Sequence, residues 1–337
     1  MSTRHFLQSN IAACVALLFA VGPALAVAAR SQWTYHISDE LIPGYIDQGV
    51  TSHKVDREGS LWFTYRAQGG KNDVVRLERS GIARRAEGFA GEAEILPLPD
   101  GRALLIGKDF YEPLDRGVEL VSRNFEVRPE KLNAGAHLES FGNSALDQSD
   151  GALWSYTGRG LLVRTLSGVS RTINGVPSPL TLYAAWGEAF FIDARSRLWM
   201  VSEAGSVKSA LLPFGLTTPI RLSRAKDGLV SFLASRNNRE VLIRYAPRSD
   251  SFSQLKAMAS VVDAGYVGRE LIYISAGLIH YVNPSGREIC DRAPKNAQFL
   301  EPSRHDAFFL ISNDTDVEFI RTTSFLGGQR AHWETMR

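Results

Sequence analysis

Past position 30, apolar residues fall in short runs that often alternate with polar ones and are bounded by Gly, Pro, Asp or Ser. This pattern predicts β-strands joined by tight turns. No stretch keeps a 3.6-residue apolar period long enough for a helix, so the chain reads as all-β. Three segments share a stronger signature. They are Asp56-Arg57-Glu58-Gly59-Ser60-Leu61-Trp62-Phe63-Thr64, Asp147-Gln148-Ser149-Asp150-Gly151-Ala152-Leu153-Trp154 and Asp193-Ala194-Arg195-Ser196-Arg197-Leu198-Trp199. In each, an acidic residue and then Gly or Ser make a turn, and Leu-Trp opens an apolar strand.

The tryptophans lie 92 and 45 positions apart. A period near 46 then predicts a weaker copy near residue 106, and Leu98-Pro99-Asp100-Gly101-Arg102-Ala103-Leu104-Leu105-Ile106 supplies it. Further copies start at Lys226-Asp227-Gly228, Gly268-Arg269-Glu270 and His305-Asp306-Ala307. Each is followed by another apolar strand, as in Val74-Val75-Arg76-Leu77 or Leu278-Ile279-His280-Tyr281-Val282. Seven such units predict a seven-bladed β-propeller of four-stranded blades over residues 30–337. Trp33-Thr34-Tyr35-His36-Ile37 is an extra early strand, expected to complete the last blade and close the ring.

The first 29 residues read differently. Arg4 is their only Lys or Arg, and an Ala/Val/Leu/Phe run from Ile11 to Ala29 follows it. This is the form of a secretory signal peptide, with cleavage expected near Ala26 to Ala29, at Ala24-Leu25-Ala26 or Ala26-Val27-Ala28. An uncleaved anchor is the competing reading. The surroundings of Cys14 superficially fit a lipobox, but most of the apolar run follows that cysteine. Cleavage would leave Cys290 as the single cysteine, excluding an intrachain disulfide. The expected location is the periplasm or the medium, with membrane contact only through the signal before cleavage.

Composition narrows the classes further. Hydrophobic residues are 44% and charged residues 22% of the chain, the balance of a folded protein. A net charge of +2 is too even for a nucleic-acid binder.

The Asp-x-x-Gly-x-Leu-Trp unit with its following strand resembles the two-component regulator propeller repeat of extracytoplasmic bacterial sensors. Blades of the streptogramin (virginiamycin B) lyase family are similar, with Gly59-Ser60-Leu61-Trp62-Phe63-Thr64 matching a Gly-x-Leu-Trp-Phe-Thr run. The resemblance implies a propeller. For activity it implies either a sensor-like interaction module or a lyase that uses a His/Glu pair with a divalent cation. Those lyase residues are not mapped onto this sequence.

Motifs with chemical content are few. Asp56, Asp100, Asp150, Asp193, Asp227 and Asp306 recur once per unit, which fits hairpin turns, on the face away from the binding face, rather than a carboxylate site. Residues 313–318 lack the Gly and bidentate Glu of an EF-hand-type loop. His36, His53, His137, His280, His305 and His332 show no metal-ligand spacing, and no metal site or cofactor is expected outside the lyase alternative. His280 reads as a satisfied core or edge histidine, and His137 with Glu139 as a possible acid/base pair on an extended strand. Ser253-x-x-Lys256 is a chance-level match.

Propeller geometry gives a better route to a site. First strands begin, and second strands end, on one common face around the axis. Second-strand ends are expected at Arg66, Lys108, Tyr156, Glu203, Arg236, Ser275 and Asn313. First-strand starts add His53, Glu94 and Arg221. Of this ring His53, Arg66, Lys108, Tyr156, Glu203, Arg221 and Arg236 form the expected ligand site, with a mild cationic bias. The reading is an exported, monomeric binding module for a polar small molecule, a glycan or a protein partner. A carbon–oxygen lyase, or a periplasmic inhibitor or immunity protein, is the alternative.

Overall fold

The computed structural model describes residues 33–36, 50–66, 71–90, 92–98, 100–108, 118–130, 144–165, 167–213, 220–236, 239–255, 260–303, 306–313 and 316–322. The expected signal peptide at 1–29 and His137, Glu139, His305 and His332 lie outside them. A lone strand, β1 (Trp33–His36), comes first. Blade 1 is β2 (Val50–Val55), β3 (Leu61–Arg66), β4 (Lys71–Leu77) and β5 (Ala83–Ala90). Blade 2 is β6 (Glu92–Pro97), β7 (Ala103–Lys108), β8 (Val118–Val121) and β9 (Val127–Glu130). Blade 3 is β10 (Ser144–Leu146), β11 (Leu153–Tyr156), β12 (Gly160–Arg164) and β13 (Ser170–Asn174). Blade 4 is β14 (Pro179–Ala185), β15 (Glu188–Asp193), β16 (Arg197–Ser202) and β17 (Val207–Leu211). Blade 5 is β18 (Ile220–Arg224), β19 (Val230–Arg236), β20 (Arg239–Ala246) and β21 (Ser251–Gln254). Blade 6 is β22 (Val261–Val267), β23 (Glu270–Ser275), β24 (Leu278–Val282) and β25 (Glu288–Arg292). Blade 7 begins with β26 (Ala297–Ser303), β27 (Ala307–Ser312) and β28 (Asp316–Arg321).

Each blade is an antiparallel sheet in chain order, except that β1 supplies the fourth strand of blade 7 by pairing with β28. First strands stand side by side around the axis, and β26 next to β2 closes the ring. The chain is thus a seven-bladed β-propeller clasped by its N-terminal strand.

Alternation explains why these strands stack. Along β3, Trp62 packs with Val74 and Ile95 of the next blade, while Phe63 packs with Phe309 and Phe319 of the last. Side chains on opposite faces of one sheet so serve two separate cores. Each fully buried aromatic or aliphatic side chain contributes about 1.5–3 kcal/mol. Amides of first strands are stitched to the preceding blade: Ile95 N donates to Ser52 Oγ (3.1 Å), Tyr266 N to Ser223 Oγ (2.8 Å) and Leu300 N to Asp263 Oδ2 (2.7 Å).

One expected unit is out of phase. Leu198-Trp199 lies in β16, the third strand of blade 4; Glu188–Asp193 is the second strand. Asp193 therefore turns the chain at the end opposite Asp56. The reason is that the motif specifies a hairpin, not a strand number. Asp56 Oδ1 accepts Ser60 N and Oδ2 accepts Trp62 Nε1, each at 2.9 Å. Asp193 Oδ1 accepts Arg197 N and Oδ2 accepts Trp199 Nε1, again at 2.9 Å. In blade 3 the turn is one residue longer, and Asp147 instead receives Gly187 N of blade 4 at 2.7 Å. Trp154 Nε1 is then left with no partner among the described residues.

Asp56 also receives Arg76 Nε at 3.0 Å. Asp56→Ala is expected to cost about 3 kcal/mol, because it orphans a buried indole N–H and takes from Arg76 its buried carboxylate, leaving it Glu58 and Glu78. Asp193→Ala should cost about 2 kcal/mol, with no arginine released. Urea denaturation of both variants checks the order.

Candidate functional site

The first strands, which stand around the propeller axis, are irregular near their starts. Register breaks occur in β2 between Val50 and Ser52, in β14 between Pro179 and Leu182, and in β18 between Ile220 and Leu222. Others fall in β22 between Val261 and Asp263 and in β26 between Ala297 and Phe299. All lie near the strand starts, on the funnel face, where a bulge re-aims a side chain. At Arg221 the bulged residue has φ of 57°. This left-handed backbone is costly for a residue with a Cβ and persists where the surroundings over-determine it.

The redirected Arg221 guanidinium reaches across two blades. Its Nε lies 3.0 Å from Asp263 Oδ1 on β22, and its Nη2 donates to Glu301 Oε1 on β26 at 2.8 Å and to Leu300 O. His53 Nδ1, on β2, lies 2.6 Å from the same Glu301 Oε1. Phe299 covers the His53 ring at a centroid distance of 4.7 Å. On the other side of β2, Lys54 Nζ pairs with Glu94 Oε1 on β6 at 2.9 Å. Tyr183 on β14 feels Arg221, Lys54 and Glu301 and lies against the Leu222 backbone. First strands of six blades thus contribute Lys54 and His53, Glu94, Tyr183, Arg221, Asp263 and Glu301.

Burial and charge act against each other here. Burial pushes the Glu301 carboxyl up, but Arg221 and His53 overcome it and hold it at about 2. For Asp263 burial wins, and its carboxyl is raised despite Arg221 and the Leu300 amide. Burial lowers Arg221, but Asp263 and Glu301 more than restore it, so the guanidinium is locked in its charged form. Burial raises the Tyr183 phenol, which stays neutral. Asp263 has 3% side-chain exposure and Glu301 11%, whereas Arg221 keeps 24% and remains partly exposed.

Of the expected ligand residues, the structure joins His53 and Arg221 through Glu301. Arg66, Lys108, Tyr156 and Arg236 end second strands at the funnel face. Tyr156 is half-buried against the core of blades 3 and 4; the side chains of the other three lie outside the described part. Glu203 needs correction. It follows the third strand of blade 4, so it sits at the opposite face, where burial, Asp150 and Asp147 raise its carboxyl. This error comes from the phase shift at Trp199. Asp263, Glu301, Tyr183 and Lys54 were missed. An acid inside an apolar strand, as in Val261-Val262-Asp263-Ala264 and Phe299-Leu300-Glu301, was the available signal.

His280 is satisfied as expected. Its Nδ1 lies 2.6 Å from Glu288 Oε1, which also accepts from Tyr273 Oη at 2.6 Å. Its ring stacks on Tyr273 at 4.3 Å. No three described His, Cys, Asp or Glu side chains are placed to hold a metal ion.

The fold defines the class as a seven-bladed all-β propeller, and comparison with known proteins agrees. No protein-family model matches the chain, and no curated protein matches its sequence. Among solved structures it is similar to streptogramin B lyase, with a TM-score of 0.59 at 13% identity over 86% of this chain and 97% of that one. Virginiamycin B lyase from Staphylococcus aureus gives a TM-score of 0.58 at 11% identity over 86% and 98%. The extracellular domain of a hybrid two component system from B. thetaiotaomicron gives 0.51 at 13% identity, over 85% of this chain and 42% of that one. These likenesses establish the shared propeller fold.

Proposed function

We propose that the protein is an exported, periplasmic propeller that acts as a binding module, taking a polar ligand or a partner's polar loop at the funnel mouth of its channel. The observation that carries this reading is the strained Arg221, held at a bulge so that its partly exposed guanidinium joins the buried Asp263 and Glu301 and, through Glu301, His53. A backbone cost of about 1–3 kcal/mol at one arginine marks a position selected for what its side chain does. The N-terminal stretch with the form of a signal peptide supports export, and the extracellular domain of the hybrid two component system has this fold outside the cytoplasm in another protein.

The test is a thermal-shift panel of primary amines, carboxylates, phosphate, neutral sugars and acidic or basic peptides. At least one class should raise Tm by several degrees at millimolar concentration, and the shift should vanish in Tyr183→Phe or Lys54→Gln. No shift with any class, together with no partner recovered from periplasmic extract, overturns the reading.

A lyase is the second reading, and the His53–Glu301 pair favours it. A carboxylate on Nδ1 orients the ring so that Nε2 can accept a proton from a channel-bound substrate. The described residues offer no fitting cation site, so no step is routed through a metal. Incubation with quinupristin followed by mass spectrometry decides: consumption lost in His53→Ala supports the lyase, and an unchanged substrate removes it.

A further inference from the structure

Resting on the binding reading above, we propose that the channel mouth recognises a neutral, hydroxyl-rich group, such as the end of a saccharide, rather than an anion or a cation. The argument starts from which charges are already answered. Arg221 is paired with both Asp263 and Glu301, and Lys54 with Glu94. A charged ligand would have to open one of these pairs or add an uncompensated charge to a desolvated site, and either is costly.

What stays open is hydrogen-bonding capacity. Glu301 Oε2 makes no hydrogen bond to a described residue, and neither does His53 Nε2. The Tyr183 hydroxyl proton has no acceptor among those residues either. Tyr183 therefore offers a donor. Glu301 Oε2 offers an acceptor. His53 turns Nδ1 toward the carboxylate, which leaves Nε2 facing away from it as a further polar atom that gives or takes a hydrogen bond. A phosphate or carboxylate could take hydrogen bonds from Tyr183 and Arg221, but it would face the Glu301 acceptor and set an uncompensated negative charge beside Glu301 and Asp263. An ammonium group could satisfy Glu301 but not the tyrosine. Hydroxyl groups both give and take, so vicinal hydroxyls match the set.

The lip of the site agrees. Leu180 and Val262 sit at the strand breaks of β14 and β22, on the blades flanking Arg221, and are 47% and 50% exposed. Two exposed apolar side chains at the same ends of first strands on either side of Arg221 suit the C–H face of a sugar ring, which is apolar while its edge is not.

Saturation-transfer NMR with matched ligands tests this on the purified chain. The neutral set is glucose, maltose and N-acetylglucosamine; the charged set is glucosamine, glucuronate and glucose 6-phosphate. At least one neutral sugar should bind about tenfold more tightly than its charged counterpart, and Tyr183→Phe, which leaves every ion pair intact, should weaken it about tenfold. Tighter binding by a charged member overturns the ligand class while leaving the site standing. Sugar binding unchanged in Tyr183→Phe overturns the proposed contacts. Silence from all six overturns the saccharide proposal, and the broader binding reading falls with it only if the thermal-shift panel is also silent.

Discussion

Replacing Arg221 by methionine is expected to destabilise the ring by about 3–5 kcal/mol, the cost of leaving a buried carboxylate without its cation. For a chain of this size that is on the order of 10 °C in Tm. Methionine fills a similar volume, so the loss is electrostatic rather than a cavity effect. Two acids are abandoned together, since the guanidinium serves both Asp263 and Glu301. Adding Glu301→Gln and Asp263→Asn to Arg221→Met should return part of the loss, because removing a whole buried ionic set costs less than removing one member. Urea denaturation gives all three values. A single-variant loss below about 1 kcal/mol would show that the cluster is hydrated and does not act as a unit.

The same cluster fixes a pH dependence. Glu301 sits at about 2 in the folded chain against 4.5 for the free group. Its ionised form is thus favoured by folding. The stabilisation is fully present above about pH 4.5, and it fades as pH falls toward 2. At 1.36 kcal/mol per pH unit it amounts to about 3 kcal/mol. Asp263, whose carboxyl burial raises, runs the other way. The informative quantity is therefore wild type minus Glu301→Gln across pH 5 to 2. That difference should shrink steadily on acidification, and a flat difference would refute the assignment.

The architecture was legible because it repeats. Seven hairpin–strand units and an odd early strand sufficed to give blade number, strand number and closure. Phase was not legible at blade 4, since Asp193 and Trp199 form the same local pairing as Asp56 and Trp62 at the other end of a blade. A motif defined by a seven-residue hydrogen-bonded loop carries no record of which hairpin it closes.

The site was half legible for a different reason. His53 and Arg221 could be placed because first-strand starts are countable. Their partner Glu301 stands 248 positions from His53, and only the closing of the ring brings the two together. Bulges were invisible as well. The φ of Arg221 is imposed by its strand context, and arginine is not a residue whose appearance signals a left-handed backbone.

Starting the chain at residue 38 instead of residue 30 is expected to be the most damaging change of all. It removes β1, whose residues pair in register from Trp33 with Phe319 to His36 with Asp316. The lost contacts are specific. Trp33 stacks on Phe319 at 5.3 Å and 10°, meets Phe309 at 6.0 Å, and donates Nε1 to Arg79 O of blade 1 at 3.1 Å. One side chain so ties blade 7 to blade 1. Gly81 permits the approach, for a Cβ there would stand 3.2 Å from the indole. Trp33→Ala alone should cost about 3 kcal/mol. Deleting the strand should cost more than 5 kcal/mol, because β28 then becomes an uncovered edge carrying Val317, Phe319 and Ile320. Such an edge recruits other chains, so the truncated protein should elute as oligomers or aggregate, and a synthetic peptide spanning residues 30–37 should restore a monomer. A truncated chain that stays monomeric within about 2 °C of the intact Tm would show that the ring holds without its clasp.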